Sequence, residues 1–298
     1  VKQIMECVPN FSEGRRPEVV EAIVAPFRGK AGVKLLDWQL DADHNRSVVT
    51  VVGAPDALGA AVIAAMAVAL AQIDMRRHNG AHPRMGAVDV VPFIPVKGVT
   101  MEDAVTLATA VGRQAAERFD LPVFLYEAAA RRPERVNLAD IRKGQFEGMP
   151  AKLQDARWRP DFGPPSVHPT AGVTAVGARM PLVAFNVNLG SDNLALARDI
   201  AARVRHINGG FRFCKAMGIA LADRGQVQVS MNLTDYTRTA VYRVLETIRM
   251  EARRHGVPVV GSEIVGLVPL AALVESAAYY MGLENFAVDQ ILETRLDD

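Results

Sequence analysis

The stretch SVVTVVGAPDALGAAVIAAMAVALAQI, residues 47–73, decides the fold. Its opening run, Ser47 to Val52, is β-branched and so extended. Gly53-Ala-Pro55 breaks that run, and proline is tolerated in the first helical turn. The Ala-rich continuation to Ile73 then predicts a helix. Upstream, the apolar pattern predicts a strand at Ile4 to Pro9, a helix from Pro17 to about Phe27 and a strand at Val33 to Trp38. Downstream lies a strand at Val88 to Ile94. The order is β-α-β-β-α-β. It returns in the last third: strand Leu182 to Val187, helix Asn193 to Arg205, strands Lys215 to Leu221 and Val227 to Leu233, helix Tyr236 to His255, strand Val259 to Val265. The expected class is α/β (α+β), built as two ferredoxin-like units.

Between the copies stand a helix at Thr100 to Phe119, opened by the capping box Thr100-x-x-Asp103, and a short strand at Pro122 to Leu125. The segment Arg157 to Pro169 carries Pro160, Gly163, Pro164, Pro165 and Pro169 and cannot feed a sheet ladder, so it reads as the boundary between halves. By composition it is a passive linker or a stiff loop held against something. The expected subdomains are residues 1–180 and 181–298. Helices on one face of each sheet would leave the other free to meet its twin, with a ligand between the halves.

The formal charge of +1 starts no argument for a nucleic-acid or membrane partner, which leaves a small molecule or another chain. Cys7 and Cys214 share no zinc-type spacing and suit a reducing cytoplasm. Glu6 interrupts the only apolar stretch at the amino end, so no secretory signal is expected there. The run Ala57 to Ala71 is shorter than the ~20 residues of a bilayer span and reads as a core helix.

No two glycines stand two apart, so the GxG core of a dinucleotide fingerprint is missing. GxxxxGK[ST], HExxH and GxSxG are missing too. The densest polar cluster is DMRRHNGAHPR, residues 74–84. His78 and His82 would share a face on a helix, but Gly80 and Pro83 oppose one, and no third ligand stands at zinc spacing, so no metal is expected. The loop is either a solvated basic turn or a carboxylate-handling loop with histidine as proton carrier. The turn Asp41-Ala-Asp-His-Asn-Arg46 is a polar hairpin connection, or else presents Arg46 to a ligand carboxylate. Asn10 and Ser12, between the first strand and helix, are caps or ligand contacts.

Taken together, these segments are more specific. CVPNFSEG (7–14), DHNRS (43–47), HPRMG (82–86) with Asp89, PFIP (92–95), DFGP (161–164), GAR (177–179), AFNVN (184–188) and Gly261 to Pro269 run in colinear order. They resemble the formiminotransferase domain of glutamate formimidoyltransferases, in a stand-alone form without the cyclodeaminase fused to it in animals. The resemblance implies two α/β subdomains with folate in a tunnel between them, a homodimer, and transfer of a formimino group from N-formimino-L-glutamate to tetrahydrofolate as co-substrate. It implies His82 as acid/base. It implies folate contacts at Gly163, Pro164, Pro165, Ser166, Val167, His168, Pro169, Thr170, Ala171 and Gly172. The substrates' carboxylates ask for arginine, and Arg46, Arg84 and Arg179 are the candidates, with Asn10, Asp37 and Asn45 as further site residues.

Two departures stand out. The family commonly reads Leu-Leu-Asp-x-Asp where this chain reads Leu35-Leu-Asp-Trp-Gln39, keeping Asp37 and losing a second carboxylate. Ala81 precedes His82 where the animal enzymes have Glu. Asp37, Asp41 or Asp43 can stand in for the lost carboxylate. Formyl transfer from N-formylglutamate and a non-catalytic folate-binding protein remain the alternatives.

Overall fold

The computed structural model describes residues 2–221 and 224–295, which divide into two compact units, one ending at Arg179 and the other beginning at Met180. In the first unit the opening strand is split into β1 (Ile4–Cys7) and β2 (Asn10–Phe11). Pro9 lacks the N–H that a ladder needs at the break. Both pieces lie between β4 (Arg46–Gly53) and β5 (Val88–Lys97), while β3 (Val33–Asp41) flanks β4 on its other side. That is the ferredoxin-like order. The sheet is extended beyond β5 by β7 (Thr174–Ala178) and β6 (Val123–Glu127), both parallel.

Alternation along β4 sorts the two faces. Ser47, Val49 and Val51 are buried and Arg46, Val48 and Thr50 half-buried. Helices α1 (Pro17–Val24), α2 (Pro55–Gln72) and α3 (Met101–Phe119) share one core with Met5, Val51, Val91 and Phe93 on the first face. By length and composition α2 passes for a membrane span, yet its Leu58, Ile63 and Met66 are buried in that core. The capping box of α3 is formed: Thr100 Oγ1 accepts from Asp103 N–H at 3.2 Å and Asp103 Oδ2 from Thr100 N–H at 2.7 Å.

The second face departs from the expectation of helices on one side only. Short helices α4 (Leu138–Arg142) and α5 (Gln145–Lys152) cover its β5–β7–β6 half, where Ile141, Met149 and Leu153 pack on Val90, Tyr126 and Ala175. The continuous apolar run of β5 reflects burial on both faces. Neither helix was legible beforehand, and β7, five residues with Gly and Ala among them, lacked the β-branched density of a strand signal.

The proline-dense segment is not the junction between units. Asp161 N–H donates to Val123 O at 2.8 Å, and Asp161 Oδ2 accepts from Leu125 N–H and from the fully buried Arg135. A buried carboxylate–guanidinium pair therefore binds this segment to the edge of the first sheet.

The second unit has strand order β11-β8-β10-β9, from β8 (Val183–Leu189), β9 (Cys214–Leu221), β10 (Gln226–Leu233) and β11 (Val259–Val265). Helices α6 (Leu194–Val204) and α7 (Val241–Arg253) bury Ile200, Val204, Val244 and Ile248 against Val187 and Val229. Helix α7 was expected from Tyr236. It starts later because Asp235 Oδ1 accepts from the N–H and hydroxyl of Thr237, an Asx turn that competes with helix. Helix α8 (Leu270–Met281) follows β11 and had not been expected.

Candidate functional site

The site is set out on loops at one end of the first sheet. Asn45 holds three of them together from a left-handed conformation (φ 48°). Its Oδ1 accepts from Gly14 N–H at 3.0 Å, its Nδ2 donates to Asn79 O at 2.9 Å, and its backbone oxygen accepts from His78 Nε2 at 2.8 Å. Gly80 allows the close approach, since a Cβ there would lie 2.3 Å from His44 O. Asn45 thus acts as a clasp, and His78 is committed to it.

His82 stands on the loop so held. Its Nε2 is 2.8 Å from Arg46 Nη1. A guanidinium cannot accept, so Nε2 is the acceptor and the ring proton lies on Nδ1. Burial, then Arg46, Arg142 and His44, push the imidazole down to about 3, with Asp41 pulling the other way. His44 lies edge-on to His82 at 6.1 Å between ring centroids and is tied to Asp41 at 2.6 Å. Arg142, at the end of α4, pairs with the buried Asp89 of β5, whose other oxygen accepts from Met85 N–H at 2.8 Å. Asp89 therefore positions both the His82-to-Gly86 loop and an arginine.

The three arginines proposed from the sequence have different surroundings. Arg46 forms no ion pair among the described residues, and its Nε–H is buried without a partner. Arg84 has all five N–H groups engaged, by the Nδ1 and O of His78, by Gln145 and by both oxygens of Glu147, which makes it a brace of its loop. Arg179 lies near Glu6 and Tyr126, its charge offsetting part of the burial that raises the Glu6 carboxyl. Asp37 accepts from Gln39 Nε2 at 3.0 Å on the exposed side of β3, and Asp37 is not among the main charges that shift His82. Asn10 donates to Val8 O at 2.9 Å and pairs with Val48 and Val90 within the sheet.

The stretch from Gly163 to Gly172 runs onto the same loop. His168 and Gly172 exchange backbone hydrogen bonds at 3.1 Å each. Thr170 O accepts from Met75 N–H, Ala171 O from Ala87 N–H, and Val173 N–H donates to Met85 O. Its carboxyl end is thereby fixed beside the His82-to-Gly86 loop, while Gly163, Pro165, Ser166 and Pro169 are exposed.

A cavity of about 370 Å³ opens beside the same clasp, lined by Glu13, Arg15, Arg16, Arg77 and His78 among others. His82 does not line it, and Arg15 and Arg16 are taken up by Asn79, Ala42 O and Glu13. The second unit carries its own polar row on the helix-free face, where Gln228 bridges Asn188 and Glu263 and Asn186 donates to Glu263. No group of three or more His, Cys, Asp or Glu residues arranged for a metal occurs among the described residues.

Arg142 and His44 are not among the site residues expected from the sequence, where Asp41 figures only as a stand-in for the lost carboxylate. Arg142 gave no local signal, since nothing in its own helix points to residues 46 and 82. Asp89 did give one, because a carboxylate inside the apolar run of β5 requires a partner.

Two family descriptions match the chain: "Formiminotransferase domain, N-terminal subdomain" over residues 4–179 and "Formiminotransferase domain" over residues 184–295. A glutamate formimidoyltransferase of Streptococcus pyogenes is 50% identical over 99% of both chains. Another, of Thermoplasma acidophilum, is 44% identical over 99% of this chain and 97% of its own. The formimidoyltransferase-cyclodeaminase of Rattus norvegicus is 45% identical over 97% of this chain and 54% of its own.

Proposed function

Since the chain belongs to the formiminotransferase family, we propose that it transfers the formimino group of N-formimino-L-glutamate to tetrahydrofolate, giving 5-formiminotetrahydrofolate and L-glutamate in histidine breakdown. The observation that carries this reading is the full-length identity to the glutamate formimidoyltransferase of Streptococcus pyogenes. The placement of His82 supports it, as a neutral imidazole on a braced loop with its Nε2 lone pair turned toward an arginine that forms no ion pair among the described residues and keeps a buried Nε–H unpartnered.

In this reading N5 of tetrahydrofolate attacks the formimino carbon and the resulting tetrahedral centre expels the glutamate nitrogen. His82 takes the proton that N5 loses and delivers it to the departing nitrogen, so the proton count closes on one imidazole. The Gly163 to Gly172 stretch contacts folate, within the first of two subdomains, residues 1–180 and 181–298. Among the arginines, Arg46 has the freedom to take a substrate carboxylate, whereas Arg84 and Arg179 would have to give up partners. Asn45 and Asn10 shape the loops, and Asp37 lies on the exposed side of β3. The enzyme works in the cytoplasm, which the buried free thiols of Cys7 and Cys214 suit, and as a homodimer.

The test is incubation with tetrahydrofolate and N-formimino-L-glutamate, followed by acid and detection of the methenyl product. N-formyl-L-glutamate in a parallel reaction separates the formyl alternative. Binding of tetrahydrofolate without product from either donor would favour the binding-protein reading. A monomer mass by light scattering would remove the dimer.

A further inference from the structure

The surroundings of His82 hold two guanidiniums with unspent hydrogen-bond donors. Arg46 and Arg142 both bear on it, and each keeps a buried Nε–H without a partner among the described residues. A buried N–H without an acceptor is unfavourable, and a ligand acceptor relieves it. Asp89 pairs with Arg142, and Asp41, hydrogen-bonded to His44, forms no ion pair with Arg46, so Arg46 has no direct carboxylate partner among the described residues. Meanwhile Arg46 donates to the nitrogen lone pair that a proton carrier needs.

Resting on the formimino-transfer reading, we propose that Arg46 and Arg142 together receive the α-carboxylate of the glutamyl donor, and that its arrival releases and activates His82. The bond count favours the α-carboxylate over the γ. The α-carboxylate carbon is attached to the carbon that bears the departing nitrogen. A carboxylate seated on Arg46, 2.8 Å from His82 Nε2, therefore brings that nitrogen to the imidazole, whereas a γ-carboxylate would set it two methylenes farther away. The electrostatics point the same way. The charged groups facing His82 are Arg46 from β4, Arg142 from α4, Asp41 from the end of β3 and His44 from the β3–β4 turn. An anion on the two arginines cancels most of the positive field, and imidazole basicity rises when nearby positive charge is neutralised. The free enzyme then keeps a weak base, and the donor supplies the anion that makes it a stronger one.

The experiment follows the six histidine ring resonances by NMR as a function of pH, with His82 assigned through His82→Asn. N-acetyl-L-glutamate serves as an unreactive probe, and N-acetyl-4-aminobutyrate, which lacks the α-carboxylate, as its control. The glutamate probe is expected to move the His82 titration upward by about 1–3 pH units, and the control to leave it in place. In Arg46→Gln the free enzyme is expected to titrate His82 nearer its ordinary value, with no further response to the probe and a donor KM about tenfold or more higher. Arg142→Lys keeps a charge on Asp89 but removes the Nε–H, and is expected to show a smaller probe response. An unchanged His82 titration with the glutamate probe, or an equal shift with the control, would overturn the assignment. So would a shift produced by tetrahydrofolate but not by tetrahydropteroate, which lacks the glutamyl tail. The formimino-transfer assay stands apart. Turnover without a probe response sinks this proposal alone, and a probe response without turnover sinks the activity alone.

Discussion

Gly86 and Gly172 face each other across an antiparallel backbone bridge with no room for a side chain on either. A Cβ on Gly86 would lie 2.1 Å from Val173 O, and one on Gly172 2.2 Å from Met85 O. The bridge fastens the loop that carries His82 to the stretch implied in folate contact. Two segments nearly ninety residues apart in sequence are thus joined directly through their backbones.

Gly172→Ala is therefore expected to cost about 1–3 kcal/mol of stability, because the residue also has φ +76°. Urea unfolding measures it. Turnover should fall along with stability, since the His82 loop must shift to make room. A variant with unchanged midpoint and rate would show that the bridge does not hold the loop.

His82→Asn should fold, bind tetrahydrofolate and lose on the order of 10²–10⁴ in turnover, the usual share of a positioned acid/base. Equilibrium binding and steady-state rates separate the two effects. Weakened folate binding with normal chemistry would make His82 a ligand contact.

Acid stability offers an independent check on the same side chain. The folded site holds His82 neutral down to about 3, whereas in the unfolded chain an imidazole takes up its proton near 6.5. Below about 6.5 the unfolded state binds a proton that the folded site refuses. His82 therefore lowers stability progressively as pH falls from about 6.5 toward 3, and has no such effect above that window. His82→Asn should lose less stability than the wild type over this range in paired denaturation curves. Parallel curves would mean that the imidazole is not held neutral.

Gln39→Asp sets a second carboxylate beside Asp37, at a position where the amide now donates across 3.0 Å. The expected cost is about 0.2–1 kcal/mol, the scale of like charges in close pairs on a sheet. Because Gln39 is committed to Asp37 and Asp37 is not among the main charges acting on His82, donor choice and the pH profile should stay as in the wild type. A displaced acidic limb would show that this residue acts on the imidazole.

Limited proteolysis tests the Gly163 to Gly172 stretch. Its exposed Pro165, Ser166 and Pro169 leave it open to cleavage in the free protein, and saturating tetrahydrofolate should suppress nicking there. Equal nicking with and without ligand would count against folate contact.

The period of the apolar residues determined the two ferredoxin-like units by itself. The β-branched run of residues 47–52, the Ala-rich helix after Pro55 and the box at Thr100 and Asp103 are local signals that tertiary contacts reinforce. The colinear motifs likewise mark out His82, Arg46 and the Gly163 to Gly172 stretch from the sequence alone. Which arginine is free was decided only by the tertiary structure. Arg46 and Arg84 are alike as residues, but Glu147 and Gln145 saturate one, and the fold leaves the other without an ion partner among the described residues. Arg142 became visible only when α4 covered the sheet and Asp89 drew its guanidinium toward His82. A side chain's hydrogen-bond capacity belongs to its type, whereas how much of it is already spent depends on neighbours that the chain brings together from distant positions.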